Sequence, residues 1–252
     1  MAMAHLMIEN LAKKLGDQQV LDGVNIDVAK GESIVIIGQS GCGKSVLLKH
    51  VLRLLSPDSG KITFDEQDLS TLNSRELFET RQRIGLLFQS AALFDSLTVA
   101  ENVGLGLKES RRHSRNEIDE IVMDKLGLVG LASAAGKHPA ELSGGMRKRA
   151  GLARAFATDP EVLLYDEPTT GLDPITADMI DDLIVELNEK MHVTSIAVTH
   201  DMTSAYKIAD RIMMLYQGKV EFEGSPEETR NSTNPVVKQF ISGRASGPIQ
   251  VR

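Results

Sequence analysis

Short apolar runs alternate with amphipathic stretches over most of the chain. Three short apolar runs, Ser33–Ile37, 162–165 and Thr194–Thr199, are typical of buried parallel strands, and the first is rich in β-branched residues. Between them, residues 46–55 and 177–190 place apolar side chains on one face of a helix. Strands that alternate with helices predict an α/β fold with a mainly parallel core sheet and right-handed crossovers.

Other segments depart from this alternation. Residues 6–11 and 24–28, on either side of a turn at Gly16 and Asp17, read as strands of an antiparallel β layer, the second with a period of two. Residues 101–107 and 116–126 are helical in pattern, and they predict a helical subdomain at about 90–158 inserted in the α/β domain. A C-terminal helix and polar tail are expected over 226–252, within one domain that spans 1–252.

Composition limits the functions open to this chain. Its 252 residues contain 28 Lys and Arg against 35 Asp and Glu, which gives a net charge of −7 and a pI near 5.4. That balance argues against a nucleic-acid partner. One cysteine, Cys42, excludes a disulfide within the chain and suits a reducing compartment. No run of 18 apolar residues and no export signal is visible, so we expect only other chains to hold it at a membrane.

The strongest chemical motif follows the first apolar strand. Residues 38–45, the phosphate loop, fit the pattern G-x-x-x-x-G-K-[ST] between a strand and a helix. Its glycines allow successive backbone N–H groups to surround a phosphate, and the helix start adds about half a positive charge. The alternative, a chance glycine turn, does not explain the strand and helix context. The predicted nucleotide-binding residues are Gly38, Gln39, Ser40, Gly41, Cys42, Gly43, Lys44 and Ser45.

Two of these side chains have specific expected roles, and an acidic pair completes the chemistry. Lys44 would reach the β- and γ-phosphates, and the Ser45 hydroxyl would hold Mg²⁺. Asp166 ends an apolar strand, where α/β sheets place their ligands, and would hold Mg²⁺ through water. Glu167 would orient the attacking water and accept its proton. The alternative is an ordinary acidic pair in a loop.

A second glycine motif has no use in an isolated nucleotide site. Ser143, Gly144 and Gly145 precede a basic helical stretch, and they predict a second backbone nest at a helix start. One phosphate cannot occupy two distant loops of one molecule. We therefore expect this loop to close over a nucleotide bound to another subunit. Taken alone, the segment could also be a simple helix cap.

In the order of these motifs, the chain resembles the ATP-binding subunit of an ATP-binding-cassette (ABC) transporter. The resemblance implies a P-loop NTPase cassette that binds ATP and Mg²⁺, and a head-to-tail pair of cassettes with two ATP molecules between them. In that pair Ser143, Gly144 and Gly145 of one copy would contact the γ-phosphate held by the other. The resemblance covers nearly the whole chain.

The resemblance also gives roles to residues that carry no signal alone. Gln89 would sense Mg²⁺ and the attacking water, and would link the site to the membrane subunit through the helical insertion. Asp173 would tie the two sites together, and His200 would hydrogen-bond the γ-phosphate. Alone, Gln89 and His200 would be an ordinary strand-end glutamine and a core histidine. Leu15 takes the place of the aromatic residue that usually stacks on adenine, which leaves only apolar contact with the base.

Finer similarities point to the cassettes of Mla-type (MCE) lipid transporters. They lie in residues 87–94, 142–155, 173–175 and the tail 239–248. The resemblance implies transport of phospholipid or a related lipid between the inner and outer membranes of a Gram-negative cell, with the chain peripheral on the cytoplasmic face of the inner membrane. Its implied partners are permease subunits, a periplasmic MCE lipid-binding protein and a small cytoplasmic accessory protein. The tail would cross to the other cassette; a disordered terminus is the alternative.

Three other functions compete with the lipid-transport ATPase. A cassette of a polar-solute importer commonly carries a longer C-terminal regulatory domain. A soluble ABC protein of DNA repair or translation usually has two cassettes or a long coiled-coil insertion. A nucleotide-gated switch with negligible turnover differs only in its rate of ATP hydrolysis.

Overall fold

A computed structural model describes residues 4–250, and these divide into two compact units. The first contains residues 4–73 and 194–250, and the second contains residues 74–193. The strands are β1 (Ala4–Leu15), β2 (Gln18–Ala29), β3 (Ser33–Ile37), β4 (Ser59–Phe64), β5 (Gln67–Asp68), β6 (Ile84–Leu87), β7 (Val162–Asp166), β8 (Thr194–Thr199), β9 (Arg211–Tyr216) and β10 (Lys219–Gly224). The α-helices are α1 (Lys44–Val51), α2 (Ser74–Gln82), α3 (Val99–Ser110), α4 (Arg115–Leu128), α5 (Gly144–Phe156), α6 (Pro174–Met191), α7 (Met202–Ile208), α8 (Pro226–Arg230) and α9 (Pro235–Ser242).

In the first unit, an antiparallel layer has the strand order β2-β1-β4-β5. Leu6 lies opposite Val28 and Ile8 opposite Ile26, so that alternate apolar side chains of the two strands face the core. A second group of strands surrounds β3, which pairs parallel with both β8 and β9, while β10 continues antiparallel to β9. All five residues of β3 are buried, as a parallel strand covered on both faces requires.

One arginine connects several segments of the first unit. The Arg211 guanidinium donates to the Glu32 carboxylate at 2.7 and 3.1 Å, to the Glu223 carboxylate and to the backbone oxygen of Asp27. These bonds hold the start of β9 to β2, β10 and the turn before β3. Through Glu32, they fix the start of β3, the strand that leads into the phosphate loop.

In the second unit, β6 and β7 pair in parallel, with Ile84 opposite Val162 and Leu87 opposite Tyr165. Both strands therefore end at the same edge. Helices α3 and α4 each begin with a capping box, formed by Thr98 with Glu101 and by Ser114 with Glu117. Helix α5 packs against β6 so closely that a Cβ at Gly85 would collide with the backbone oxygen of Ala155. These contacts place the ends of α5, β6 and β7 in one unit.

The predicted α/β class with parallel core strands, an antiparallel layer and a helical insertion is confirmed. The bounds of Ser33–Ile37 and Thr194–Thr199 agree with the sequence patterns. The first helix begins at Lys44 instead of residue 46. It ends at Val51 instead of residue 55, because Arg53 takes a left-handed conformation with φ of 49°. The predicted subdomain 90–158 includes α3, α4 and α5; its boundaries, and the single domain over 1–252, stay predictions.

Among residues 4–250, no helix combines the length and the apolar composition that crossing a membrane requires. The structure describes the polar tail through residue 250. The Gln239 amide donates to the Ile249 backbone oxygen at 3.0 Å, and its carbonyl accepts from the Ile249 N–H at 2.6 Å. These bonds hold residue 249 to α9, and the two alternatives for the tail, crossing to another cassette or disorder, stay predictions. Residues 251–252 lie outside the described part.

Candidate nucleotide-binding and hydrolysis site

The phosphate loop in the first unit has the backbone that its glycines allow. Gly38, Gly41 and Gly43 have φ angles of 154°, 80° and 110°, which non-glycine residues rarely adopt. A Cβ at Gly38 would collide with the Leu215 backbone oxygen, and one at Gly43 would lie 2.9 Å from the Val20 backbone oxygen. Two of the motif's glycines therefore also permit the loop to pack against neighbouring strands.

The lysine of this loop lies over its own backbone. Lys44 is buried, and its Nζ donates to the backbone oxygens of Gly38 at 2.7 Å and Gln39 at 3.1 Å. Helix α1 begins at this residue with Gly43 as its N-cap, so no capping side chain competes for the first amides of the helix. Backbone amides, a helix start and an ammonium group together suit the phosphates of a nucleotide.

A cavity of about 1100 Å³ opens beside the phosphate loop, within the first unit. Its lining combines the loop with β2, with the turn between β9 and β10, and with the C-terminal tail: Gln18, Gln19, Val20, Gln39, Ser40, Gly41, Cys42, His200, Tyr216, Gln217, Gly218, Phe240, Pro248 and Gln250. The structure therefore brings His200 and the phosphate loop together. His200 is exposed at the end of β8, so the alternative of a core histidine is wrong.

Leu15 does not join this group. It ends β1 with 45% of its surface exposed, and it is not among the described residues that line the cavity. The tail residues Phe240 and Pro248, which the sequence did not single out for the site, supply apolar surface there instead. Tyr216 fixes that wall, since its hydroxyl donates to the Pro248 backbone oxygen at 3.2 Å.

The acidic pair lies at the end of β7 in the second unit. Asp166 is the last residue of the strand, and Glu167 follows in a left-handed conformation with φ of 50°. Glu167 is buried, and its carboxylate accepts a hydrogen bond from the Thr170 hydroxyl at 3.0 Å. A non-glycine residue in this conformation costs energy, and such residues concentrate at functional sites. The hydrogen bond from Thr170 fixes the direction of the carboxylate.

The Gln89 loop, residues 88–92, follows β6 in the same unit. Gln89 is exposed, whereas Ala91 and Ala92 have φ angles of 60° and 47°. The Arg154 guanidinium of α5 donates to the backbone oxygens of Ala91 at 2.7 Å and Ala92 at 2.6 Å. Contacts from α5 therefore restrain the backbone of a loop that would otherwise move more easily.

Lys148 of α5 contacts both functional loops of the second unit. It is 5% exposed, and its Nζ donates to the backbone oxygens of Gln89 at 2.6 Å and Glu167 at 2.9 Å. Burial lowers the pKa of Lys148 to about 8, against the opposing effect of the Glu167 and Asp166 carboxylates. Lys148 was not identified from the sequence. The available signal was a lysine on the buried, alanine-rich face of α5.

The Ser143–Gly145 segment begins α5 and lies close to the loop that carries Asp173. Ser143 is exposed and caps α5, with its Oγ accepting from the Met146 N–H at 3.3 Å. A Cβ at Gly145 would lie 2.6 Å from Cγ2 of Thr176. Helix capping is thus one function of this segment, and its second glycine is needed for packing within the chain.

Asp173 caps the next helix, α6. Its carboxylate accepts from the backbone N–H groups of Ile175 at 3.1 Å and Thr176 at 3.0 Å, and from the Thr176 hydroxyl at 2.5 Å. The hydrogen bond from that hydroxyl is the largest influence that lowers the pKa of Asp173. The carboxylate is therefore ionised and fixed at the helix start.

The expected metal ligands are oxygen donors, the kind that Mg²⁺ prefers: Ser45 in the first unit, and Gln89 and Asp166 in the second. Across residues 4–250, no cluster of three or more His, Cys, Asp or Glu side chains could hold a metal by itself.

Comparisons with known proteins agree with this arrangement. The model of the ABC transporter family matches residues 21–170. The chain is 44% identical to the intermembrane phospholipid transport system ATP-binding protein MlaF of Haemophilus influenzae, over 97% of this chain and 93% of the relative. It is 41% identical to the "Probable ribonucleotide transport ATP-binding protein mkl" of Mycobacterium leprae, over 96% of this chain and 70% of the relative.

A solved structure extends the likeness to the fold. The ATP-binding cassette MJ0796, as a dimer in a post-hydrolysis state with ADP and Pi, superposes with a TM-score of 0.80 at 34% identity. The superposition covers 88% of this chain and 98% of that one. The chain belongs to the ABC transporter family, in which it is an ATP-hydrolysing subunit.

Proposed function

We propose that this chain drives the movement of phospholipid or a related lipid between the inner and outer membranes of a Gram-negative cell. It would work on the cytoplasmic face of the inner membrane, bound to permease subunits. The observation that carries this proposal is the 44% identity with MlaF over nearly the full length of both chains. The cargo rests on that similarity, because an ATPase subunit need not touch what is transported.

The same observation supports the finer partners. A periplasmic MCE lipid-binding protein would pass lipid to or from the permease, and a small cytoplasmic accessory protein would bind the ATPase. A second candidate cargo, a ribonucleotide, is favoured by the 41% identity with mkl. That relative is longer, since this chain covers 70% of it.

In the proposed mechanism, the phosphate loop and Lys44 bind the triphosphate and neutralise its charge. Glu167 accepts a proton from the attacking water, Gln89 orients that water, and His200 donates to a γ-phosphate oxygen. Ser45, Gln89 and Asp166 would hold Mg²⁺, which when bound neutralises charge on the phosphate oxygens. The buried, hydrogen-bonded Glu167 and the His200 side chain in the cavity support these roles.

Two copies would form the working unit in a head-to-tail arrangement. Ser143, Gly144 and Gly145 of one copy would contact the γ-phosphate held by the other, and Asp173 would connect the two sites. Ser143 is exposed at the start of the 13-residue helix α5, whose first amides can bind an anion. The dimeric MJ0796 structure is a precedent at 34% identity.

The cargo is tested by affinity purification of the chain from native membranes in mild detergent, followed by mass spectrometry of proteins and lipids. We expect a multispan permease, an MCE-domain protein and phospholipid. Recovery of a permease with a soluble solute-binding protein would indicate that the cargo is a polar solute and not a lipid. Recovery of no membrane protein would contradict the transport role.

The hydrolytic role is tested with Glu167→Gln. Because the amide cannot accept a proton, we expect ATP turnover to fall at least about 100-fold, while the variant accumulates as an ATP-bound dimer. Turnover is measured by phosphate release, and dimer formation by size-exclusion chromatography with ATP. Parental turnover in this variant would show that Glu167 is not the base.

A further inference from the structure

We propose that Lys148 is a positioning residue for ATP hydrolysis, which fixes Gln89 and Glu167 together by holding their backbone oxygens to helix α5. The inference rests on the proposed function, in which Gln89 orients the attacking water and Glu167 activates it. Lys148 itself contacts no reacting atom. Its effect on the reaction would pass through the two loops that it joins.

A single amine makes both contacts. The Nζ of Lys148 lies 2.6 Å from the Gln89 oxygen and 2.9 Å from the Glu167 oxygen, so one group fixes two loops that follow different strands. These loops are 59 and 19 residues away from Lys148 along the chain. An ammonium group has three donors, enough to bond both oxygens in a space where water is excluded. Burial strengthens each of these bonds.

Neighbouring residues of α5 also contact the Gln89 loop and the strand before it. A Cβ at Gly151 would lie 2.8 Å from Cδ1 of Leu87 and 3.0 Å from Cβ of Ala91, so the missing side chain lets α5 approach the Gln89 loop. Six residues after Lys148, Arg154 holds the two left-handed residues Ala91 and Ala92. Helix α5 therefore supports the Gln89 loop at several points, and Lys148 extends that support to Glu167.

The chain position of Lys148 gives this contact a functional meaning. It lies three residues after Gly145, on the helix whose first residues would contact the nucleotide of a second copy. A movement of α5 when the two copies close would carry the backbone of Gln89 and Glu167 with it. Lys148 would thus connect the segment that meets the partner's nucleotide to the general base and the water-orienting glutamine.

The test is Lys148→Met, which keeps the length of the stem but removes every donor. Misplacement of a catalytic group by about 1 Å costs roughly 100-fold in rate, so we expect kcat for ATP to fall about 10- to 100-fold. KM should stay within about 2-fold, because Lys44 and the phosphate loop are unchanged. Lys148→Arg keeps the charge and the donors, and should recover part of kcat.

Lys125→Met is the matched control. Lys125 is also buried in the second unit, at 7% exposure, and its Nζ donates to Asp159 at 2.5 Å, away from both loops. We expect it to lower thermal stability without lowering kcat. Hydrogen exchange should rise in residues 88–92 and 167–170 of Lys148→Met only.

Glu167→Gln is assayed in parallel on the same full-length chain, with its membrane partners, to separate the two proposals. Loss of turnover in Glu167→Gln with parental kcat in Lys148→Met would overturn the positioning role alone. Equal loss of kcat in Lys148→Met and Lys125→Met would overturn it as well, since a general loss of stability would then explain both. Parental turnover in Glu167→Gln would overturn the proposed base.

Discussion

Backbone strain in the second unit occurs in the two loops that carry Gln89 and Glu167, which have proposed chemical roles. Glu167, Ala91 and Ala92 all have positive φ angles, at a cost of about 1–2 kcal/mol each. Hydrogen bonds to the backbone from Lys148 and Arg154 offset this cost. Other left-handed residues, such as Arg53 and Arg111, lie at helix ends, where that conformation is ordinary. Asp65, Glu66 and Gln217 adopt the same conformation in hairpin turns, so what distinguishes the two functional loops is the hydrogen bonding of their backbone by Lys148 and Arg154.

Gly145→Ala should destabilise the protein, because its new Cβ would lie 2.6 Å from Cγ2 of Thr176. We expect the free energy of unfolding to fall by about 1–3 kcal/mol, as for other overpacking substitutions. Urea denaturation measures this change. ATP turnover should fall as well, because the start of α5 would shift.

Gly127→Ala is the control for Gly145→Ala. Gly127 lies in helix α4, and among the described residues a Cβ added there would meet open space. At this position alanine should raise the free energy of unfolding by about 0.4–1 kcal/mol. A stability of Gly145→Ala equal to or above that of the parent would contradict the packing argument.

His50 should make stability depend on pH in the acidic range. Its side chain is buried in α1 with Nδ1 2.7 Å from the Val46 backbone oxygen, and burial lowers its pKa below the usual 6.5. Nearby Lys13 lowers the pKa further, while Asp58 opposes it. As pH falls, His50 therefore binds a proton in the unfolded chain before it does so in the folded chain. The free energy of unfolding consequently decreases as pH falls below 6.5.

We expect His50→Leu to show a smaller loss of unfolding free energy than the parent between about pH 7.5 and about pH 5.5. Urea denaturation at the two pH values measures the slopes. Identical slopes in parent and variant would show that His50 does not titrate as its burial requires.

At the scale of elements, the sequence patterns identified strands better than helix ends or loop contacts. The runs at Ser33–Ile37 and Thr194–Thr199 are fully buried, so composition alone marks their bounds. Helix α1 was misplaced because its start lies inside the phosphate loop, where glycines conceal helical periodicity. Lys148 could not be identified, since its partners are distant in sequence and are backbone atoms, which leave no residue pattern.

A buried hydrogen bond joins strand β7 to helix α6. Tyr165 is fully buried, and its hydroxyl donates to Oδ1 of Asn188 at 2.7 Å. Because Tyr165 precedes Asp166 and Glu167, this bond supports the strand that presents both carboxylates.

Tyr165→Phe should lower the free energy of unfolding by about 1–2 kcal/mol, through loss of that bond with little change in volume. Thermal or urea denaturation measures the loss. Tyr216→Phe, which removes a more exposed hydroxyl contact at 3.2 Å, should cost less than about 0.5 kcal/mol. Equal losses in the two variants would contradict the importance of burial.

At the scale of the whole molecule, the expected chemistry is divided between the two units. The phosphate loop and His200 belong to the first, whereas Gln89, the Ser143–Gly145 segment, the acidic pair and Asp173 belong to the second. The residue types of each group were predictable from short motifs. The contribution of the tail to the cavity was not, because it depends on Gln239 bonding to a backbone ten residues further along the chain.

Gln239→Ala should release the tail. The side chain is buried and holds both backbone groups of Ile249, which is itself 3% exposed. We expect hydrogen exchange at residues 244–250 to rise by at least about 10-fold, while α1 keeps its protection. Gln250→Ala, an exposed change in the same tail, should leave exchange unaltered. Unchanged protection in Gln239→Ala would show that other contacts hold the tail.

The position of the C-terminal tail in the cavity lining has a practical consequence for work with this protein. Pro248 and Gln250 line the same cavity as Gln39–Cys42, so a group attached at position 250 lies beside that opening. An environment-sensitive dye coupled at position 250 would, by the same geometry, give an optical signal when the cavity fills.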